Sequence, residues 1–483
     1  LIIMNFKKLF TIAFATLFMF SCQEEFIDDP KPVDGISESL VFSSRSLVDS
    51  FLAGMLRRSR GQFTGGHDAG GINSMYYARV VKGNDIIQKR TWFLFDYDND
   101  NREPNYRRPT FSWQFPYFMI NQANIAIRGI NNSDLSETDK NETLAQAMGI
   151  RAFYYFQLAL EFCPAYLQSS PASEEAPPIY TEPATEGGPM STLQEMYDLI
   201  ISDLTTAISK ASDSRIDKSF INSNVLHGIL SRVYLTTGNY AGAAAHAAQA
   251  RVGYPLAGAE YVDGFDNMSA TEWIWGMPQQ SDQSNYYYGA PHMQADHENP
   301  SYAGTFINRD FYSLFSTTDI RSVGTAATQA QFYARYTTNP AAWFYIVTRK
   351  FTAAFTSHFA LMRSAEMVLT EAEGKARTGD DSGAAALLLS LQQSRDPNAV
   401  ASGNTGQALV DEILVEKRKE LYSEIGVEWF DAKRLGKAMT RTGNHRVMGT
   451  SSLTANDKRF FLKVPQREID ANDNITDAVN ANR

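Results

Sequence analysis

The stretch SNVLHGILSRVYLTTGNYAGAAAHAAQARVGYP, from Ser223 to Pro255, narrows the choice of fold more than any other part of the chain. Val225, Leu226, Ile229, Leu230, Val233 and Tyr234 recur at the spacing of one helical face, and Gly238 then interrupts the pattern. A second helix follows, carrying Ala243, Ala244, Ala247, Ala248 and Ala250. Side chains this small let two helix backbones approach closely, so the spacing predicts an antiparallel pair joined by a tight turn at Gly238. A chain that repeats such pairs is a layered helical scaffold.

Three further pairs can be drawn. SAEMVLTEAEGKARTGDDSGAAALLLSL keeps Ala372, Gly379 and Ala384 at the small and turn positions; a second pair joins INQANIAIRGI to ETLAQAMGIRAFYYFQLALEF, and a third runs from Leu409 through Gly436. The placement of Leu230, Tyr234, Gly238, Tyr240, Ala243, Ala250 and Pro255 resembles the tetratricopeptide repeat, whose unit is one such pair. The pairs are scattered, which implies insertions between them. The largest, at about 256–358, is rich in aromatic residues, Gly, Asn and Asp and is expected to form loops and short strands. The expected fold is mainly α, tetratricopeptide-like helical pairs with a loop-rich insertion containing short strands.

At the other end, LFTIAFATLFMFSCQEEF runs from Leu9 to Phe26 behind Lys7 and Lys8. The apolar run Leu9–Phe20 is too short to span a bilayer as a helix, and the order positive, apolar, then Ser21 and Cys22 is that of a secretion signal. The junction resembles a lipobox. Residues 1–21 are therefore expected to be a lipoprotein signal peptide, with Cys22 carrying the lipid and residues 22–483 forming the mature domain. The acids Glu24, Glu25, Asp28 and Asp29 would leave a solvated tether. Beyond Cys22 the sequence has only Cys163, so no intramolecular disulfide stabilises the mature chain.

Composition excludes one class of partner. A formal net charge of −10 with no basic run gives nucleic acid nothing to bind, since phosphate contacts need a cationic surface. Catalytic and metal signatures are missing as well. His292 and His297 in HMQADHE lack the spacing that places two ligands on one helical face, and solvated loop histidines are expected there. DYDNDN, from Asp96 to Asn101, begins like an EF-hand loop, but Asn101 takes the glycine position and Arg107 the place of the bidentate glutamate. A solvated polar turn, or a rim that hydrogen-bonds a ligand, is expected. Glu371 and Glu373 lie in a repeat helix whose amphipathic pattern accounts for them without catalysis. No metal and no cofactor is assigned.

What remains is aromatic. A sugar offers flat faces of C–H bonds ringed by hydroxyls, so its site needs aromatic planes beside amides and carboxylates. Two clusters have that mixture: Asn84, Asp85, Trp92, Asp96, Tyr97 and Asp98; and, within DQSNYYYGAPHM, Asn285, Tyr286, Tyr287 and Tyr288. Trp273 and Trp275 alternate along a strand-like segment and are expected in the core.

EKRKELYSEIGVEWFDAKRLG, from Glu416 to Gly436, resembles a landmark of the SusD/RagB group of surface lipoproteins, with Gly426, Trp429, Asp431, Lys433, Arg434 and Gly436 in register and Glu428 where that family has Arg. NQANIAI, RAFYYFQLAL, MYDLIISDLTTAI, LSRVYLTTGNYAGAAAHA, EWIWG, TRKF, RSAEMVLTEAEGKARTGD and LKVPQREIDANDNI follow in the family's order along nearly the whole chain. The resemblance implies four tetratricopeptide-like pairs, a variable ligand-binding half, and an outward-facing, lipid-anchored place in the outer membrane over a SusC-like TonB-dependent transporter. It implies a non-enzymatic protein that captures an oligosaccharide or other nutrient. A peptide-binding scaffold and, further off, a glycosidase are the alternative readings.

Overall fold

The computed structural model describes residues 37–61, 66–90, 92–281 and 291–483; Cys22 and the signal-like segment lie outside them, as do Asn285 and Tyr286–Tyr288. After a helical turn at Glu38–Val41 the chain runs through α1 (Arg45–Arg60), α2 (Ile72–Val80) and β1 (Ile86–Gln88) and enters the long antiparallel pair α3 (Arg107–Asn131) and α4 (Glu137–Phe162). α5 (Leu193–Lys210) packs on α4 and leads to the pair α6 (Ser223–Thr237) and α7 (Tyr240–Ala250). After the insertion come α8 (Ser364–Arg377) with α9 (Asp381–Arg395), α10 (Gly406–Leu421) with α11 (Val427–Arg434), and the short α12 (Gln466–Ala471). The four expected pairs are all present. α1 and α2, which the pairing scheme did not include, pack beside α3 and α4 and under the insertion.

Local chemistry sets the turns. α6 ends at Gly238 with φ +80°, a left-handed position that L side chains rarely adopt, and the next residue, Asn239, caps α7 by accepting from the Gly242 N–H at 3.0 Å. The α8–α9 turn repeats the device with Gly379 at φ +90° and Asp380 accepting from the Gly383 N–H at 2.9 Å. α5 begins with a full capping box between Thr192 and Glu195. Ala243, Ala247 and Ala250 are completely buried, and a Cβ placed on Gly374 of α8 would sit 2.5 Å from the Tyr240 carbonyl oxygen. α7 and α8 thus meet at a separation that only small residues permit.

The insertion supplies β2 (Trp273–Met277), β3 (Thr305–Ile307), β4 (Phe332–Ala334) and β5 (Ile346–Thr348). β2 pairs antiparallel with β6 (Phe359–Arg363), and both Trp273 and Trp275 are 2% exposed, as the sequence led us to expect. The other three strands join β1 in a four-stranded antiparallel sheet in the order β1-β3-β5-β4, with Ile86 opposite Ile307 and Gln88 opposite Thr305. β1 comes from outside the insertion. It brings the Asn84–Asp98 segment to the insertion's edge, over a core that includes Ile87, Phe93, Tyr97, Phe306, Val347 and Tyr422.

Scaffold and insertion are joined by buried charge. Glu420 on α10, with no exposed side-chain surface, lies 2.9 Å from Arg363, 3.0 Å from Arg395 and 3.1 Å from Arg321. Arg363 and Arg395 share Glu272 at 2.9 and 2.7 Å, Arg321 also pairs with Asp319 and Glu416, and Glu424 holds Arg363 at 2.8 Å and Lys350 at 2.7 Å. Burial alone would push the Glu420 carboxyl up, but Arg395, Arg363 and Arg321 outweigh it and hold it well below the usual carboxylate range. Glu373, the repeat-helix acid, is likewise structural, paired with Arg434 and Arg377 and held down to about 2 against its burial.

Two expectations about polar loops are corrected here. His292 and His297 are 1% and 6% exposed, because the helical turn Pro291–Ala295 packs His292 against Phe351 and the Phe265 carbonyl, while His297 sits between Phe306 and Tyr336. The Asp96–Asn101 segment is not a solvated turn: Asp96, Tyr97, Asn99 and Asn101 are buried, with Asn99 at φ +55° donating to the Lys82 carbonyl. Among the described residues no group of three His, Cys, Asp or Glu could hold a metal ion, and no helix is long and apolar enough to cross a membrane.

Two predictions follow from this packing. Glu420→Ala leaves three buried guanidinium groups short of a partner and should cost about 3–5 kcal/mol in chemical denaturation, whereas Asp411→Ala, which breaks an exposed pair with Lys437, should cost at most about 1 kcal/mol. Burial pushes His227, His292, His297 and His445 down to about 4 from an ordinary 6.5. The unfolded chain binds more protons between those values, so this stabilisation is complete above about pH 6.5 and is lost as pH falls toward 4. Glu428, pushed up to about 7 by burial and by Asp85, has the opposite slope and offsets only part of it. The melting temperature should therefore fall steadily from pH 6.5 to pH 4.5, and His445→Gln should make that fall shallower.

Candidate ligand-binding surface

Trp92 is the exposed centre of the first aromatic cluster, with 38% of its surface open. It follows β1, and the sheet pairing sets it beside Tyr302, just before β3. The indole N–H donates to the Tyr302 hydroxyl at 3.2 Å. The His67 ring stacks on the indole at 4.7 Å with a 23° interplanar angle, and its Nδ1 is hydrogen-bonded to the same Tyr302 hydroxyl. Arg107, in the first turn of α3, places its guanidinium 5.4 Å from the indole centre while its Nε pairs with Asp68 at 2.9 Å. Arg107 remains about half exposed, so it can yield to a ligand. Burial, reinforced by Arg107 and opposed by Asp68, lowers the His67 pKa and favours the neutral ring. Phe95 and Tyr106, three residues after Trp92 and one before Arg107 in sequence, are 57% and 40% exposed with ring centres 6.5 Å apart.

The acids expected around Trp92 divide into two sets. Asp96 is fully buried and both oxygens accept from Arg108, at 3.0 and 2.9 Å, so its place is in the interior and not at a ligand. Asp85 is 4% exposed and bound to Arg418. Tyr97 is completely buried beneath the Arg441 guanidinium, 3.9 Å from its ring centre, and its hydroxyl meets His445 Nδ1 at 2.8 Å. The Nε2 of His445 must donate to the Asn84 carbonyl at 2.9 Å, so in the neutral ring Nδ1 accepts from Tyr97. Asn84 is half-buried, its side-chain oxygen accepting from the Thr442 N–H and from Asn308. Of the three acids only Asp98 stays partly open, 30% exposed at the side chain, with its Oδ1 buried 3.8 Å from Arg446.

The buried set still serves the surface by fixing the loop that carries it. Glu428 accepts from the backbone N–H groups of Asn84 and Asp85 at 2.8 and 3.1 Å, and so ties α11 to the entry of β1. The sequence singled out Trp92 for the site but not His67, Arg107 and Tyr302, which the structure sets against it. Tyr302 carried the same signal as the tyrosine run, an aromatic residue in a polar loop of the insertion.

Two family models match the chain. One, described as starch-binding associating with outer membrane, matches residues 25–235, and the SusD family model matches residues 231–480. Among solved structures, a SusD-like carbohydrate binding protein from Bacteroides vulgatus superposes with a TM-score of 0.79 at 24% identity over 90% of this chain and 97% of that one. A SusD superfamily protein from Bacteroides thetaiotaomicron gives a TM-score of 0.76 at 22% identity over 90% and 99%, and one from Bacteroides fragilis 0.73 at 18% over 90% and 99%. No curated protein matches the sequence. The structural likenesses establish the fold, and because the SusD family model by itself spans more than half of the chain, the chain belongs to the SusD family.

Proposed function

We propose that this protein binds an oligosaccharide at the cell surface through Trp92 and passes it, chemically unchanged, to a SusC-like TonB-dependent transporter in the outer membrane. The observation that carries the reading is an exposed indole held in place by His67, Tyr302 and Arg107, with further open rings at Phe95 and Tyr106 on the same stretch of chain. A stacking platform works best when its geometry is fixed before the ligand arrives, since ordering it afterwards costs affinity. Asp98 and the Tyr302 hydroxyl supply hydrogen bonds for the ligand hydroxyls, which must recover those they lose with water. Asn285 and Tyr286–Tyr288 are proposed as a second platform on sequence grounds alone. The carbohydrate-binding relative from Bacteroides vulgatus supports the ligand class.

In this reading residues 1–21 are removed, Cys22 carries the lipid, and residues 22–483 are the mature protein, with the insertion at about 256–358 contributing to the ligand. Cys22→Ala should leave the protein folded and shift it from the membrane fraction to the soluble one; retention in the outer membrane would overturn the anchor. Trp92→Ala should weaken binding of the cognate oligosaccharide by roughly tenfold in titration calorimetry, about the value of one aromatic contact, with an unchanged circular dichroism spectrum. Addition of a calcium chelator should leave affinity unchanged. Full affinity in Trp92→Ala would move the site elsewhere, and release of new reducing ends from the glycan would overturn the non-enzymatic reading.

A further inference from the structure

A cleft of about 410 Å³ opens along α3, between the middle of that helix, the 180–187 loop and α12. It is separate from the Trp92 surface, which touches α3 only at its first turn. Its volume lies within the roughly 300–1,000 Å³ of small-ligand sites. The apolar wall is Phe118, 37% exposed, with Tyr117 and the edge of the buried Trp113 as the floor.

The polar groups around this wall are fixed in place yet retain hydrogen-bonding capacity. The Glu468 carboxylate accepts from the Trp113 indole N–H and from Asn472, both at 3.0 Å, which aims it into the cleft with lone pairs to spare. Tyr180 accepts at its hydroxyl from the Gly188 N–H at 2.6 Å, and its own proton remains to be donated. Asn121 spends its side-chain oxygen on the Ala184 N–H at 3.2 Å and keeps its amide N–H groups. Gln114, about two turns from Asn121 on the same face of α3, lines the cleft with a half-buried side-chain amide. Buried Asn124 holds the 180–187 loop through the Tyr180 and Glu182 carbonyls, so the wall opposite Phe118 is built and not incidental.

We infer that this cleft is a second binding site, for a neutral sugar unit that lays an apolar face on Phe118 and Tyr117 and directs its hydroxyls to Gln114, Asn121, Tyr180 and Glu468. Ring-shaped ligands with hydroxyls around an apolar face match one flat wall ringed by mixed donors and acceptors. Charge selects the neutral member of that class. Glu186 and Glu468 line the cleft and, among the described residues, no cationic side chain does, although the Arg58 guanidinium lies 5.7 Å from the Phe118 ring centre. A carboxylated or phosphorylated sugar would meet the repulsion of both carboxylates, with the Arg58 guanidinium beside Phe118 to set against them.

The site stands independently of the Trp92 platform, and one experiment separates them. Saturation-transfer NMR on the full mature chain would use maltose, cellobiose, xylobiose and mannobiose, with glucuronic and galacturonic acids as anionic probes. Gln114→Ala and Thr185→Trp alter the cleft at a half-buried and an exposed position respectively, so both should fold, as a thermal melt would verify. The expected result is that at least one neutral disaccharide still gives a signal with Trp92→Ala. That signal should drop by about tenfold or more when Thr185→Trp fills the cleft or Gln114→Ala removes a donor, and the uronic acids should give none. Loss of all signal in Trp92→Ala alone would overturn the cleft site and leave the platform standing. Binding untouched by Trp92→Ala but abolished by Thr185→Trp would support the cleft and overturn the platform. A signal unaffected by the cleft variants, or stronger for the uronic acids, would overturn the inference, and no binding by the wild-type chain would overturn both.

Discussion

The contact on which the rest of the molecule depends is the carboxylate of Glu420, enclosed by Arg321, Arg363 and Arg395. Arg321 belongs to the insertion, Arg363 ends the strand that leads out of it, and Arg395 closes the α8–α9 pair, so one acid on α10 gathers three separate parts of the chain. Desolvating so many charges is costly, and well-packed apolar side chains often stabilise as well or better. What the charges add is direction. Guanidinium groups accept only a narrow set of approach geometries, so the insertion can dock on the helices in one orientation, and that orientation fixes β3 and therefore Tyr302 beside Trp92.

Much of this fold was legible in the sequence because its helical pairs are written in local terms. Gly238 with Asn239 and Gly379 with Asp380 state the turns within a few residues of where they act, and Ala243, Ala247 and Ala250 mark a helix face that a neighbour can approach closely. The site was harder to read. Asp85 and Asp96 look like ligand groups in sequence because a carboxylate shows its charge there and not its partner. Arg108 stands only 12 residues from Asp96, but Arg418 stands 333 residues from Asp85. His292 and His297 were misread for the same reason, since their acceptors and covering rings come from other loops. Trp92 was visible as an aromatic among polar residues, while the groups that orient it, 210 residues away in the case of Tyr302, were not.

Glu428 shows why the α11 entry carries an acid. A cation there would face the backbone N–H groups of Asn84 and Asp85, which need an acceptor. The carboxylate provides one, and Arg418 lies close enough to Asp85 and Glu428 to balance the two acids. The loop leading to Trp92 is thus held by main-chain contacts to Glu428 in addition to the side-chain contacts of Asn84 and Asp85.

The pairing of β1 with β3 has a consequence for the order of folding. The helical pairs close loops of a few residues and can form as soon as both members exist, whereas Ile86 finds Ile307 only after most of the scaffold has been made. Contacts so distant in sequence carry a large loop-closure cost and form late. Until then Ile86, Ile87 and the unpaired edge of β1 are open to other chains, the circumstance in which aggregation competes with folding. Because the same step brings Tyr302 to Trp92, a population arrested before it would carry nearly the full helical signal of the native protein and no assembled platform, so helicity alone does not measure the competent fraction of a preparation.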